Sequence, residues 1–249
     1  MKLTLYDTIA LRCSRVVTTG YSTSFSLGIR TLAVRHRPAI YAIYGFVRLA
    51  DEIVDTFFGH RQREILDRFR LDTMEAISER VSPNPVLHSF QWAVNTYNID
   101  REFIEAFLYS MEMDLEQRNH DRQSYSRYIY GSAEAVGLMC LRVFCHDDPV
   151  RFDSLREPAR LLGSAFQKVN FLRDMKSDYQ DRGRIYFPGV DFNNFTSADK
   201  KQIEEDIAGD FTASLAGIRK LDRGSRRGVY LASSYYMALL ANIRKTLTD

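Results

Sequence analysis

Two short acidic runs, Asp51-Glu52-Ile53-Val54-Asp55 and Asp174-Met175-Lys176-Ser177-Asp178, lie more than a hundred residues apart in otherwise apolar, helix-patterned stretches. Each carries Asp at i and i+4, so each pair projects from one face of a helix. Like charges at that spacing repel and weaken an isolated helix. A hard divalent cation with oxygen ligands offsets the repulsion, and such an ion in turn binds di- or triphosphates. The neighbours sharpen this. Tyr44, Arg48, Asp51 and Asp55 form one stripe; Gln167, Asn170, Asp174 and Asp178 form another, with Arg173 at its edge. Ile43, Val47, Ala50 and Val54 flank the first stripe, and Ala165, Phe166, Val169 and Leu172 flank the second. A solvated face would be rich in alternating Lys and Glu. Two exposed acidic faces, each with an intrahelical Arg partner, account for either motif alone. Both motifs together, with matched arginines, favour one shared site.

Helical periodicity dominates the elements that must carry these stripes, and alternating strand patterns are scarce. Pro38 predicts an early-turn proline ahead of the first acidic helix. Ser82-Pro83-Asn84-Pro85 and His146-Asp147-Asp148-Pro149 predict breaks. Residues 101–118 repeat apolar groups at Phe103, Ile104, Phe107, Leu108, Met111 and Leu115, an amphipathic helix. Gly183 to Asn194 is the longest expected loop, and one helix runs from Ser197 to about Leu221. Arg223-Gly224-Ser225-Arg226-Arg227-Gly228 is expected as a solvated break before a last helix from Val229 to about Leu247. Helices joined by short breaks argue for a single all-α bundle.

Composition bounds the function. The 249 residues, 45% hydrophobic and 27% charged, predict one globular domain with an ample core. A net charge of +2 gives no reason to expect a nucleic-acid partner. Cys13, Cys140 and Cys145 are odd in number without a CxxC, as expected of reduced thiols in a cytoplasmic protein. No window approaches the ~18 apolar residues of a spanning helix, and no signal peptide is evident. Dinucleotide, P-loop and zinc-protease motifs are absent. His36, His60, His88, His120 and His146 are scattered and expected at the surface or in loops.

The chain resembles the squalene/phytoene synthases, which join two allylic diphosphates head to head. The matching stretches are Tyr21-Ser22-Thr23-Ser24-Phe25, Tyr41 through Asp55, Tyr130-Gly131 through Val136-Gly137, Gln167 through Asp174, and Gly183-Arg184-Ile185-Tyr186-Phe187-Pro188. The resemblance extends over nearly the whole chain, from about Cys13 to Arg244. The Asp-Glu-Ile-Val-Asp wording and Met111-Glu112-Met113-Asp114-Leu115 bring the chain nearer to phytoene synthase.

The resemblance implies an all-α isoprenoid-synthase bundle around a central apolar cavity, spanning residues 1–249. It implies Mg²⁺ or Mn²⁺ held by Asp51, Asp55, Asp174 and Asp178 with Asn170, and diphosphate contacts from Arg48 and Arg173. Tyr21, Ser22, Ser24, Phe25, Tyr44, Tyr130, Gln167 and Tyr236 complete the implied substrate site; for Ser22 and Ser24 the rival role is helix capping. Two geranylgeranyl diphosphates would give phytoene through a cyclopropylcarbinyl diphosphate, without a nicotinamide cofactor. The alternatives are squalene or dehydrosqualene from farnesyl diphosphate, another prenyl enzyme such as a terpene cyclase, or a non-catalytic subunit. Greasy substrates imply peripheral contact with a membrane surface.

Three departures from the family pattern stand out. Relatives continue some thirty residues through a basic, site-closing segment, whereas this chain stops at Asp249. Glu134 replaces a small residue and is expected to bring a charge near the cavity wall. Tyr21 stands where some relatives place His.

Overall fold

A computed structural model describes residues 3–117 and 119–245, except for the side chains of Ser24 and Asn193. The described residues form eleven α-helices and no strand. Local chemistry marks most of the boundaries. Helix α1 (Leu5–Tyr21) opens on a capping box between Thr4 and Asp7. Ser22 ends it and caps α2 (Thr23–Thr31), its hydroxyl accepting the Phe25 N–H at 3.1 Å. Helix α3 (Arg37–Asp55) has Pro38 in its first turn, where no intrahelical donor is lost. Helix α4 (Gln62–Glu79) ends at Arg80 with φ 58°, and α5 (Pro85–Tyr97) starts at the Asn84 cap.

Helix α6 (Arg101–Glu116) is the expected amphipathic element. Helix α7 (Arg122–Ile129) continues through a π-helical turn, Tyr130–Glu134, into α8 (Ala135–Phe144). Such turns are rare and tend to occur where function or packing requires them. Here Gly131 lies so near α6 that a Cβ would stand 2.2 Å from the Ala106 carbonyl oxygen. Helix α9 (Pro149–Arg182) is the longest, and α10 (Ser197–Lys220) packs along it.

The last helix, α11 (Arg223–Ile243), departs from expectation. The Arg223–Gly228 stretch is helical because Asp222 caps it, accepting the Ser225 N–H at 2.8 Å. Gly228 is there for packing: a Cβ would meet Leu32 Cδ2 at 2.4 Å. The chain break lies at Leu221–Asp222, and Leu247 falls outside the described residues.

Apolar burial holds the bundle together in two clusters. In the first, Phe46 of α3 stacks on Phe90 of α5 with centroids 3.8 Å apart, and Phe69 and Phe107 flank it. The second surrounds Phe171 and Tyr186, stacked 4.0 Å apart. The histidine expectation needs correction, since His36, His88 and His120 are buried. His88 is held by Asp7 at 2.8 Å, and His120 stacks on Tyr186, so polar partners and ring faces make burial tolerable. All three cysteines are free thiols, and burial pushes Cys140 up to about 12 and Cys145 up to about 11. No helix among the described residues is long and apolar enough to cross a membrane.

Candidate active site

Helices α3 and α9 deliver their carboxylates near their C-terminal ends. Asp55 is the last residue of α3, and Asp178 stands one turn before the end of α9. The helix macrodipole disfavours negative charge there, so local counter-charge is required. Arg182 meets Asp178 at 2.7 Å and stands 3.8 Å from Asp55, while Arg184 donates to Asp55 at 2.8 Å. All four acids, Asp51, Asp55, Asp174 and Asp178, line one cavity of about 1060 Å³. The two stripes share a site, as their matched patterns predict.

The electrostatics of the mouth are unbalanced at Asp51. Burial in the cavity wall and the neighbouring Asp55 carboxylate push its carboxyl up to about 7, despite Arg48. The 30% of its side chain that stays accessible opens onto the cavity. Arg48 pairs with Glu52, reaches Asp51 only at 4.0 Å and lies 4.3 Å over the Tyr21 ring. Its Nε is buried without a partner. Arg173 grips Asp174 with two bonds, 2.7 and 2.5 Å. Asp178 is also raised, mainly by burial, with Arg182 opposing.

Aromatic faces surround these charges. Phe25 stacks on Tyr44 at 4.9 Å, and Phe166 on Tyr236 at 4.2 Å. Tyr21, Ser22, Gln167 and Asn170 also line the cavity. Ser22 therefore serves two positions at once, as helix cap and as part of the wall. Deeper in, the lining turns apolar through Val136, Leu141, Phe144, Leu155, Ala159 and Leu162. Cys140 adds a neutral thiol to that wall.

Two expected residues fall elsewhere. Tyr130 does not line the cavity; it packs against the core, its ring 5.7 Å from the Arg160 guanidinium. Glu134 is not in the lining either, because Arg160 Nε holds it at 2.7 Å. The side chain of Ser24 lies outside the described residues.

One group was not singled out from sequence. Asp114 of α6 is buried beneath the mouth and accepts from Tyr128 at 2.7 Å and Tyr186 at 3.1 Å. Arg184 donates to its backbone oxygen at 3.0 Å. Burial raises the Asp114 carboxyl to about 6, against the pull of Arg184. The signal was present: Asp114 continues the apolar stripe of Phe107 and Met111, where a carboxylate needs a partner.

The donor set suits a hard cation. Asn170 Oδ1 is buried with no hydrogen-bond partner, in the same cavity wall as Asp51, whose nearest guanidinium stands 4.0 Å away. Among the described residues, no three acids, imidazoles or thiolates converge into a complete cage. A hard cation such as Mg²⁺ takes one or two carboxylates and completes its shell with water and substrate phosphate.

The family model described as squalene/phytoene synthase matches residues 18–249. The presqualene diphosphate synthase of Sinorhizobium fredii is 34% identical over 76% of this chain and 67% of its own length. The 4,4'-diapophytoene synthase of Staphylococcus haemolyticus is 29% identical over 90% of this chain and 84% of its own. The phytoene synthase of Arthrospira platensis is 31% identical over 74% of this chain and 63% of its own. A dehydrosqualene synthase crystal structure superposes with a TM-score of 0.85 at 22% identity, covering 96% of this chain and 87% of that one. The squalene synthase of Alicyclobacillus acidocaldarius superposes at 0.83 and 20% identity, covering 98% and 96%. Both share the fold.

Proposed function

The chain belongs to the squalene/phytoene synthase family of prenyltransferase-type enzymes, and from that premise we propose that it condenses two geranylgeranyl diphosphates head to head into phytoene. One observation carries the reading: both acidic stripes, Arg48, Arg173 and Asn170 open onto a single cavity that is apolar below them. Asp51, Asp55, Asp174, Asp178 and Asn170 would hold Mg²⁺ or Mn²⁺, which when bound neutralises charge gathering on a departing diphosphate. Arg48, with its unpartnered Nε, and Arg173 donate charge-assisted hydrogen bonds to the same oxygens.

The walls perform the rest. They exclude water that would quench an allylic cation. Tyr44, Phe25, Phe166 and Tyr236 present ring faces whose quadrupoles stabilise cationic carbon. In the first half-reaction one C–O bond breaks and pyrophosphate leaves. The allylic cation then alkylates the second substrate's double bond, and a proton is lost as the cyclopropane closes. In the second half, the cyclopropylcarbinyl diphosphate loses its pyrophosphate, the skeleton rearranges, and proton loss yields the hydrocarbon. No hydride donor is needed for that product.

Relatives named for presqualene and diapophytoene support a second reading, the same chemistry on two farnesyl diphosphates. Purified protein with Mg²⁺ and each substrate in turn, with products identified by mass, tests both. A C40 hydrocarbon supports the first and a C30 product the second. Accumulated cyclopropyl diphosphate, consumed only after NADPH is added, would transfer the assignment to a squalene synthase. No pyrophosphate release with either substrate would favour a non-catalytic subunit. The greasy substrates place the working protein against a bilayer. Leu27, Leu231 and Tyr235, exposed and lining the cavity, are the surface it would meet.

A further inference from the structure

Two arginines separated by one residue, Arg182 and Arg184, both stand against Asp55, but their settings differ. Arg184 has only 9% of its side chain accessible. Its guanidinium donates to Asp55 Oδ1 at 2.8 Å, to the Asp114 backbone oxygen at 3.0 Å, and to Val54 O and the Tyr186 hydroxyl at 3.4 Å. The Asp114 carboxylate faces it at 3.7 Å, itself held by Tyr128 and Tyr186. This fully partnered network ties the end of α3, the end of α6 and the segment after α9 to one buried group. Arg182 is 30% accessible. It makes one good bond, to Asp178 at 2.7 Å; its Nε stands 3.8 Å from Asp55, too far to hydrogen-bond, and has no other partner.

We propose that Arg184, clamped by Asp114, is a positioning residue that fixes the Asp55 carboxylate for cation binding, whereas Arg182 is a displaceable counter-ion that spans Asp55 and Asp178 until a cation arrives. The inference rests on the metal-site reading of the mouth. It follows from the geometry of partnering. Moving Arg184 would leave Asp114 and three other acceptors without their donor in a buried setting, which is costly. Moving Arg182 gives up one bond, and the arriving cation takes over as counter-charge to Asp178, whose side chain is only 10% accessible, so that carboxylate is not left unpaired. A supporting group behind a ligand typically sets metal affinity by 10- to 100-fold.

The two roles predict opposite signs for the same loss of charge. Mn²⁺ binding to the purified full chain, without substrate, is measured by the decay of the free-ion paramagnetic resonance signal. Arg182→Gln should bind about 3- to 5-fold more tightly than wild type, since a competing ion pair is gone. Arg184→Gln should bind about 10-fold more weakly or worse, although it too removes a positive charge. Because the buried Asp114 could unfold the glutamine variant, Arg184→Lys is the second arm. It keeps the charge but cannot reach Asp55 and Asp114 together, so it should also weaken Mn²⁺ binding and lower kcat with little change in KM.

Tighter binding in both glutamine variants means that net charge alone governs the site and overturns the proposal. So does unchanged binding in Arg184→Lys. If wild type binds no Mn²⁺ alone or with inorganic pyrophosphate, the metal-site reading itself falls, and this division of roles falls with it.

Discussion

Phe166 of α9 and Tyr236 of α11 stack with centroids 4.2 Å apart and planes 16° from parallel, seventy residues apart in sequence. The pair lines one side of the cavity together with Asn170. Tyr236→Phe should keep the stack and most of the turnover. Tyr236→Ala should remove it, lower stability by about 2–4 kcal/mol, and divert substrate to hydrolysed prenyl alcohol. Thermal unfolding and chromatography of the organic extract check both; an alanine variant with wild-type product ratios would remove Tyr236 from the wall's function.

Replacing one carboxylate of either stripe should separate activity from stability. Asp51→Asn or Asp174→Asn should cut turnover by about 10²-fold or more, on the scale of losing one preorganised electrostatic contact. Melting temperature should hold or rise, because relieving like-charge repulsion does not unfold a helix. Pyrophosphate release beside calorimetry measures the two. A variant of either kind that keeps full turnover would remove that residue from the cation site.

Asp51 also gives a pH signature in metal-free protein. Its folded-state carboxyl titrates at about 7 against 3.8 in the unfolded chain. Between those values the native state holds the extra proton, so this group's contribution to stability falls as pH rises and levels off above about 7. The stability gained by Asp51→Asn should therefore grow from pH 4 to pH 7, to on the order of a few kcal/mol, and then plateau. Denaturant titrations in chelator across that range test it. A pH-independent difference would show that Asp51 is already ionised throughout.

Gly131 sets the approach of the π-helical turn to α6. Gly131→Ala would place a methyl 2.2 Å from the Ala106 carbonyl oxygen and 2.8 Å from Ser110 Cβ. Backbone on one side and a buried residue on the other cannot yield cheaply, so the loss should be about 1–3 kcal/mol. The exposed Gly20, whose Cβ would meet nothing, is the control: Gly20→Ala should be neutral or slightly stabilising.

The exposed Leu27, Leu231 and Tyr235 at the mouth predict reversible vesicle binding. In flotation with phospholipid vesicles, wild type should rise with the lipid and be released by alkaline washing. Leu27→Ser/Leu231→Ser should stay with the soluble fraction while folding normally. Equal flotation of both proteins would place the lipid contact elsewhere.

Much of this molecule is legible in its sequence. The i, i+4 spacing of Asp51/Asp55 and Asp174/Asp178 fixes which side chains share a helix face, because that depends only on local helix geometry. The same holds for the amphipathic stripe of α6 and the helix starts at Pro38 and Ser197. The start of α11 was missed, because Gly224 and Gly228 read locally as breakers. Their place in a helix depends on Leu32, Ala33 and Gly28, which are distant in sequence. Tyr130 and Glu134 turned away from the cavity because Arg160, on another helix, supplies their partner. The sequence places Asp114 on an apolar stripe, but only tertiary structure supplies Arg184, Tyr128 and Tyr186 around it. Helical periodicity is local and readable along the chain. The charge balance of a buried site is a sum over residues that only folding brings within a few ångströms.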